Sequence, residues 1–518
     1  MQGKERADRQ LLDAQALVGH LVPAGSMFAF LAGHRGELFG DEDFADLFPS
    51  GKGRPSVPAG VIASVMVLQV LHDYSDSEAA EAARCDLRWK AACGFPLDHA
   101  GFDPSTLVYW RRRLAKSQRP HRINDAVRRV AGETGALTGR RRRAVDSAIL
   151  ADAVATQDTI TQLVSAIRRC GRVVPGAPEL IASVCTGHDY SQPGKPRIDW
   201  DDPAAKDALV SALVNDANAL VARFQDAELA EEAASAVALL ALVAGQDAGP
   251  AEGSDGTDGR WRIARKVAED RVISVNDPEA RHTRKSPEAR RDGYRAHVPA
   301  EPATGLITDE QLTRAAGPEN SDAVAAEMIA REVAPAEVYG DSAYGTGDLR
   351  AALTGAGHQL VIKPGPLKPA VEGGFTTGDF TVDENAGTVT CPAAVTRPIT
   401  ARRAVIFGGA CRTCPLRERC TTAQDGRTLH LHQHDALLRG ARADWAAQPA
   451  LRENYRKHRP NVERVISQIA SRGGRRLKLR YRGAAKNNAW LKHRTATLNL
   501  RNLISRGLTR EHGTWMLA

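Results

Sequence analysis

Along this chain the spacing of apolar and polar residues changes several times, and each change predicts a different kind of structure. Residues 57–116 carry apolar positions at helical spacing. VIASVMVLQVLHD (61–73) is strongly apolar. SDSEAAEAARCDLRWKAACG (75–94) opens on cap-forming Ser and Asp and closes on Gly94, and Asp103-Pro104 starts a further helix, STLVYWRRRLAK. RRRAVDSAILADAV (141–154) is a basic loop feeding an apolar strand. Residues 159–247 return to helical spacing, interrupted by a polar stretch at 186–203 and followed by the linker-like AGPAEGSDGTDG (248–259).

Strands are expected next over 261–275, 293–301 and 304–312, then a helix over 322–332, a strand in AEVYGDS, a helix over 347–357 and a strand in HQLVIKP. Strands followed by helix–strand alternation predict an α/β or mixed α+β core. Residues 371–440 break into short strand-like pieces rich in Gly and Cys. From Leu451 helices return, with Val462, Val465, Ile466 and Ile469 on one stripe.

Composition narrows the class. The chain has 518 residues, 42% of them hydrophobic and 25% charged, which is enough for roughly two to four domains with a sizeable core. No stretch approaches the roughly 20 apolar residues that span a bilayer, and MQGKERADRQ has no apolar core or cleavage site for export. Eight cysteines are too few for a disulfide scaffold, so a reducing cytoplasm is expected. The net charge of +8 and pI near 9.1 give a mild bias towards polyanions. Its distribution says more, because arginines crowd into 111–113, 140–143, 284–295 and 472–482.

Three acids stand out by setting. Asp146 lies mid-strand in AVDSAIL, Asp341 ends the strand of EVYGDSAYG, and Glu463 opens a helix in RPNVERVISQIASRGGRR. Each has an ordinary structural reading taken alone: an acid paired with arginine, a turn cap, and a surface ion pair with Arg459 four residues earlier. Together, carboxylates from two strand ends and a helix are what a pair of Mg²⁺ ions needs, since these ions take hard oxygen ligands at about 2.0–2.1 Å.

The chain resembles bacterial insertion-sequence transposases of the DDE class, in the cysteine-bearing branch with a helical N-terminal domain. The resemblance rests on VDSAILADAVATQDTITQL (145–163), SVNDPEARHTRKSPEARRDGYRAHV (274–298), YGDSAYGTGDL (339–349), CRTCPLRERC (411–420) and the stretch 459–503. It implies an RNase H-like catalytic core with Asp146, Asp341 and Glu463 as its catalytic, metal-binding acids. It also implies two Mg²⁺ ions, with Mn²⁺ as a substitute, and double-stranded DNA partners: the element ends, and target DNA. A homodimer on DNA and no membrane are expected. The wider class keeps a Tyr, an Arg and a Lys around the Glu. Here Tyr455 and Arg459 precede it with one residue's difference in spacing, but the seventh position after it is Ala470, and Arg472 is the nearest cation.

The expected organisation is a helical DNA-binding domain over 1–130, a core built from 140–160, 260–370 and 441–508, a helical insertion over 161–259, and a cysteine-bearing insertion over 371–440. Guanidinium groups make bidentate phosphate contacts, so Arg111, Arg112, Arg113, Arg459, Arg472, Arg475, Arg476, Arg480 and Arg482 are candidate DNA contacts. RRLKLRYRG (475–483) interleaves an aromatic with cations. Cys411, Cys414 and Cys420, with Cys391 upstream, have the spacing and chemistry of structural Zn²⁺ ligands, with free thiols as the plain alternative. His430, His432 and His434 are spare candidates, whereas Cys85, Cys93, Cys170 and Cys185 fall in helical patterns as small core residues. Two other functions fit the same motifs: an inactive or domesticated DNA-binding protein, and an RNase H-like nuclease without strand transfer.

Overall fold

The strand Arg142–Ala151 (β1) is the spine of the main sheet, in a computed structural model that describes residues 1–4, 12–264, 268, 270–284, 290–317 and 323–518. Parts of the expected 261–275 strand, residues 285–289 of the 274–298 motif, and the start of the 322–332 helix lie outside the described residues. Five further strands complete the sheet: β2 Arg281–Arg284, β3 Arg290–Ala300, β4 Gln311–Arg314, β5 Glu337–Gly340 and β6 Gln359–Ile362. Their order is β2-β3-β1-β5-β6, with β4 also pairing β3. β1 runs antiparallel to β3 and parallel to β5, and β5 runs parallel to β6. The fold is therefore mixed α/β, as the alternation predicts.

Several expected elements change at points the local pattern does not show. The 75–94 segment forms two helices, Asp76–Cys85 and Leu87–Cys93. Asp86 adopts an extended conformation between them and caps the second, accepting a bond from Arg88 N at 2.9 Å. The linker-like stretch 248–259 becomes part of a hairpin joining Ala248–Pro250 to Trp261–Ile263. The strand expected over 304–312 is displaced to Gln311–Arg314. Asn499, from a helix, takes both the N–H of Ile307 (2.9 Å) and its carbonyl (2.8 Å), satisfying backbone that a strand neighbour would otherwise pair.

The helix Ala59–His72 is buried at every position from 59 to 70, which its all-round apolar character requires. It packs in one core with Trp89, Trp110, Leu500, Leu503 and Trp515. The C-terminal helix Ala484–Ser505 serves two cores: Leu500 and Leu503 face the N-terminal helices, while Trp490, Leu491 and Leu498 join Ala144, Leu150, Val298, Val462 and Ile469 on the sheet. Buried Glu310 pins this seam, accepting bonds from Arg128 (3.1 Å), Lys492 (2.9 Å), Thr495 (3.0 Å) and Asn124 (3.2 Å). The helices Thr159–Val173, Ala177–Val184, Pro203–Phe224 and Glu231–Gln246 enclose a core of their own. Among the described residues no helix is long and apolar enough to cross a membrane.

Candidate active site

Strand register brings the first two acids together. Ala144 of β1 pairs with Tyr339 of the parallel β5, and two residues further along stand Asp146, midway along β1, and Asp341, just past the end of β5. Asp341 leaves the strand as the N-cap of the turn Ser342–Tyr344, and one of its oxygens accepts the Ala343 N–H at 2.9 Å. The helix Pro460–Ala470 lays Val462, Val465 and Ile469 on the sheet. That packing holds Glu463, in the first turn, beside the strand ends.

All three carboxylates meet one guanidinium. Arg459 approaches Asp146 Oδ2 at 3.0 Å, Asp341 Oδ2 at 3.8 Å and Glu463 Oε1 at 3.3 Å. Its side chain is 6% exposed, against 16% for Asp146, 46% for Asp341 and 68% for Glu463. The site thus has a closed floor and an open mouth. Asp146 Oδ1 also accepts the Ser147 N–H at 2.7 Å. Burial pushes the Asp146 carboxyl above its usual range, the Arg459 guanidinium pulls it back, and the charges of Asp341 and Glu463 push it further up. The turn cap and the i,i+4 ion pair, the plain alternatives for Asp341 and Glu463, are both present, and each coexists with the convergence.

Two tyrosines flank the acids: Tyr455, expected near Glu463 from the resemblance, and Tyr344, which was not. Tyr344 is buried, and its hydroxyl is raised by burial, with the charges of Asp146 and Asp341 adding to the shift. Tyr455 is raised in the same way, with Arg459 opposing. The signal for Tyr344 was its place in DSAYG, three residues after Asp341.

Arg459 is therefore buried and engaged, which is not the exposed setting expected of a ready phosphate contact. The 111–113 triplet divides similarly. Arg111 is paired with Asp76 and lies over Tyr481, 5.3 Å from the ring centre. Arg113 bonds the Leu47 carbonyl and stacks on Phe48 and Tyr109 at 4.6 and 4.7 Å. Arg112 is exposed. Beyond Ala470, a short hairpin pairs Ser471–Arg472 with Arg475–Arg476 through Gly473 and Gly474, both at positive φ. Arg472, Arg475, Arg476, Arg480 and Arg482 are exposed along it and the following segment. Lys478 bridges to Ala151, joining this basic ridge to the end of β1. Arg472 donates to Nδ1 of His72 at 3.1 Å. That ring is held neutral because burial, helped by the Arg472 charge, lowers its pKa to about 4.

Cys391, Cys411, Cys414 and Cys420 line a single pocket with Phe375, Phe380 and Phe407. Burial raises the Cys420 thiol, with the three neighbouring thiols adding to the shift and Arg427 opposing it. All eight cysteines are free. His432 and His434 face Asp348 at 3.6 and 3.7 Å, and no histidine lines the thiol pocket. Cys85, expected in the core, is exposed at the end of its helix, while Cys93 and Cys170 are buried. Among the described residues, no group of three or more His, Cys, Asp or Glu is spaced to hold a metal ion.

The mixed sheet thus gathers three acids around Arg459, with a row of exposed arginines running to the end of β1. Comparison with protein families makes the class specific. Residues 392–504 match the family described as Transposase DDE domain, and residues 19–113 match Transposase domain (DUF772). These two matches support an insertion-sequence transposase of the DDE class, and the mixed sheet is consistent with an RNase H-like core. No curated protein and no solved structure matches.

Proposed function

We propose that the protein binds the ends of an insertion sequence and catalyses metal-dependent cleavage and transfer of DNA strands, with Asp146, Asp341 and Glu463 as the catalytic acids. One observation carries this reading: three carboxylates from two strands and a helix converge on a single guanidinium. Three formal negative charges against one positive leave a site that attracts further cations. The donor set, all carboxylate oxygen, suits Mg²⁺ or Mn²⁺. When bound, two such ions would activate an attacking oxygen and stabilise the leaving one.

The chain's own residues supply the rest. Asp146 and Asp341 fix one wall of the site through β1 and β5. Glu463 supplies the opposite carboxylate from its helix and leaves the mouth open to a phosphodiester. Arg472, Arg475, Arg476, Arg480 and Arg482 offer phosphate contacts leading towards the end of β1, and Arg112 extends them on the helix Ser105–Lys116. Arg111 and Arg113 act indirectly, Arg111 by fixing that helix against Tyr481 of the ridge and Arg113 by tying it to Leu47 and Phe48. A cytoplasmic dimer, one protomer for each element end, goes with this reading. So does one structural Zn²⁺ on the four thiols of the 371–440 region.

The test is excision and integration of a marker flanked by paired element ends on a plasmid, with purified protein and Mg²⁺. Joined products support the proposal. Nicking without joining would indicate a nuclease, and binding without nicking an inactive DNA-binding descendant.

A further inference from the structure

We infer that Arg459 is a resident counter-ion of the carboxylate triad, which it holds together before metal binds and releases when metal and DNA arrive. The inference rests on the proposed catalytic role of the triad and adds a step to it. The nitrogens of Arg459 stand 3.0, 3.3 and 3.8 Å from oxygens of Asp146, Glu463 and Asp341. Oxygens arranged around a planar guanidinium lie further apart than oxygens sharing one ion at about 2.1 Å. This explains why the acids converge, yet are not spaced to hold a metal. Arg459 and divalent ions therefore compete for the same negative charge.

Two features make the arrangement reversible. Nε of Arg459 is buried without a hydrogen-bond partner, so the side chain is incompletely satisfied where it sits. Arg459 also lies at the junction of the helices Pro449–His458 and Pro460–Ala470, beside an open mouth where a phosphate would offer the guanidinium a bidentate partner. Without Arg459, three like charges would repel one another across the apo site. With it, the triad is assembled in advance, at a cost in metal affinity that DNA removes. Metal and DNA binding are then positively coupled, each strengthening the other. Arg459 is in this sense a positioning residue.

The test is Mn²⁺ binding to the full-length protein without DNA, read by electron paramagnetic resonance, in the wild type and in Arg459→Gln, Arg459→Lys and Asp341→Asn. Circular dichroism checks that each variant is folded. The Gln variant should bind Mn²⁺ about tenfold more tightly than the wild type, because a repelling cation has gone. Lys, a point charge unable to span three carboxylates, should fall between them. Asp341→Asn should lose the site. Unchanged or weaker binding in Arg459→Gln, with loss in Asp341→Asn, overturns the counter-ion role while leaving the metal site standing. Binding indifferent to Asp341→Asn overturns the triad reading itself, and the inference with it. Should the Gln variant fail to fold, Arg459→Lys decides: affinity equal to wild type overturns the inference.

Discussion

Glu310 and Arg459 are both buried charges surrounded by opposite ones, and they do different things. Glu310 is one carboxylate among two cations and two neutral donors. Both of its oxygens are engaged, and the result is a seam between the N-terminal helices, the C-terminal helix and the sheet. Arg459 is one cation among three carboxylates. Its surroundings remain short of positive charge, and one side opens to solvent. Burial is common to both, so charge stoichiometry is what separates a closed latch from a site able to take in a ligand.

Removing charge from the open cluster should produce the largest effect. Asp341→Asn keeps the cap on Ala343 but removes the charge. It is expected to lower Mg²⁺-dependent strand cleavage by about a thousandfold or more while DNA binding survives. Asp146→Asn and Glu463→Gln should behave alike in a gel assay on an element-end duplex. Full activity in any of them would sink the shared-site assignment.

Removing charge from the closed cluster should instead cost stability. Glu310→Gln strands Lys492 beside a neutral amide and leaves Arg128 with Asp309 alone, and is expected to destabilise the fold by about 3 kcal/mol. Urea unfolding measures the loss, and Mn²⁺ affinity at the triad should not move. A change in metal affinity would erase the distinction between the two clusters.

The thiol pocket gives a third case, four donors of one kind beside the guanidinium of Arg427, which acts on Cys420. Elemental analysis after chelator-free purification should find one zinc per chain, and stripping it should lower the melting temperature. Near-zero zinc would return the four cysteines to plain thiols around a small apolar core.

A carboxylate with no cation close against it behaves differently again. Asp152 is 4% exposed, and its Oδ2 has no bonding partner among the described residues. Burial, reinforced by the nearby charges of Asp292 and Asp277 and opposed by Lys478, raises its pKa to about 6. The folded state then holds a proton that the unfolded chain releases near pH 4. The associated stability is full below that value and is lost as pH rises through 6. Asp152→Asn should therefore melt a few degrees higher than wild type at pH 7 and show little gain at pH 4. The same gain at both pH values would refute the linkage.

The smallest effect belongs to the ridge. Arg475→Ala and Arg476→Ala should each weaken DNA binding uniformly across sequences and reduce the log–log salt slope by about 1. An unchanged slope would remove these residues from the phosphate-contact set.

Local chemistry made much of this protein legible. The strongly apolar run at 61–73 specifies a buried helix, Ser75 and Glu78 form the capping box that starts the next one, and the apolar run around Asp146 specifies a strand. Such features depend on residues a few positions apart, so the sequence by itself determined the helical N-terminal region, the strands β1, β3, β5 and β6 and the three acids worth asking about. Convergence of those acids depends on the Ala144–Tyr339 register and on the helix carrying Val462 docking onto β1. Neither is a local property. The direction of each arginine was decided the same way, since Arg111 and Arg112 are adjacent in sequence, yet one meets Asp76 and Tyr481 while the other meets solvent. Arg459 beside Glu463 was legible at i,i+4 spacing, but the tertiary structure alone brought Asp146 and Asp341 to the same guanidinium, because a guanidinium takes whichever anions the fold brings within reach and those two lie far away along the chain.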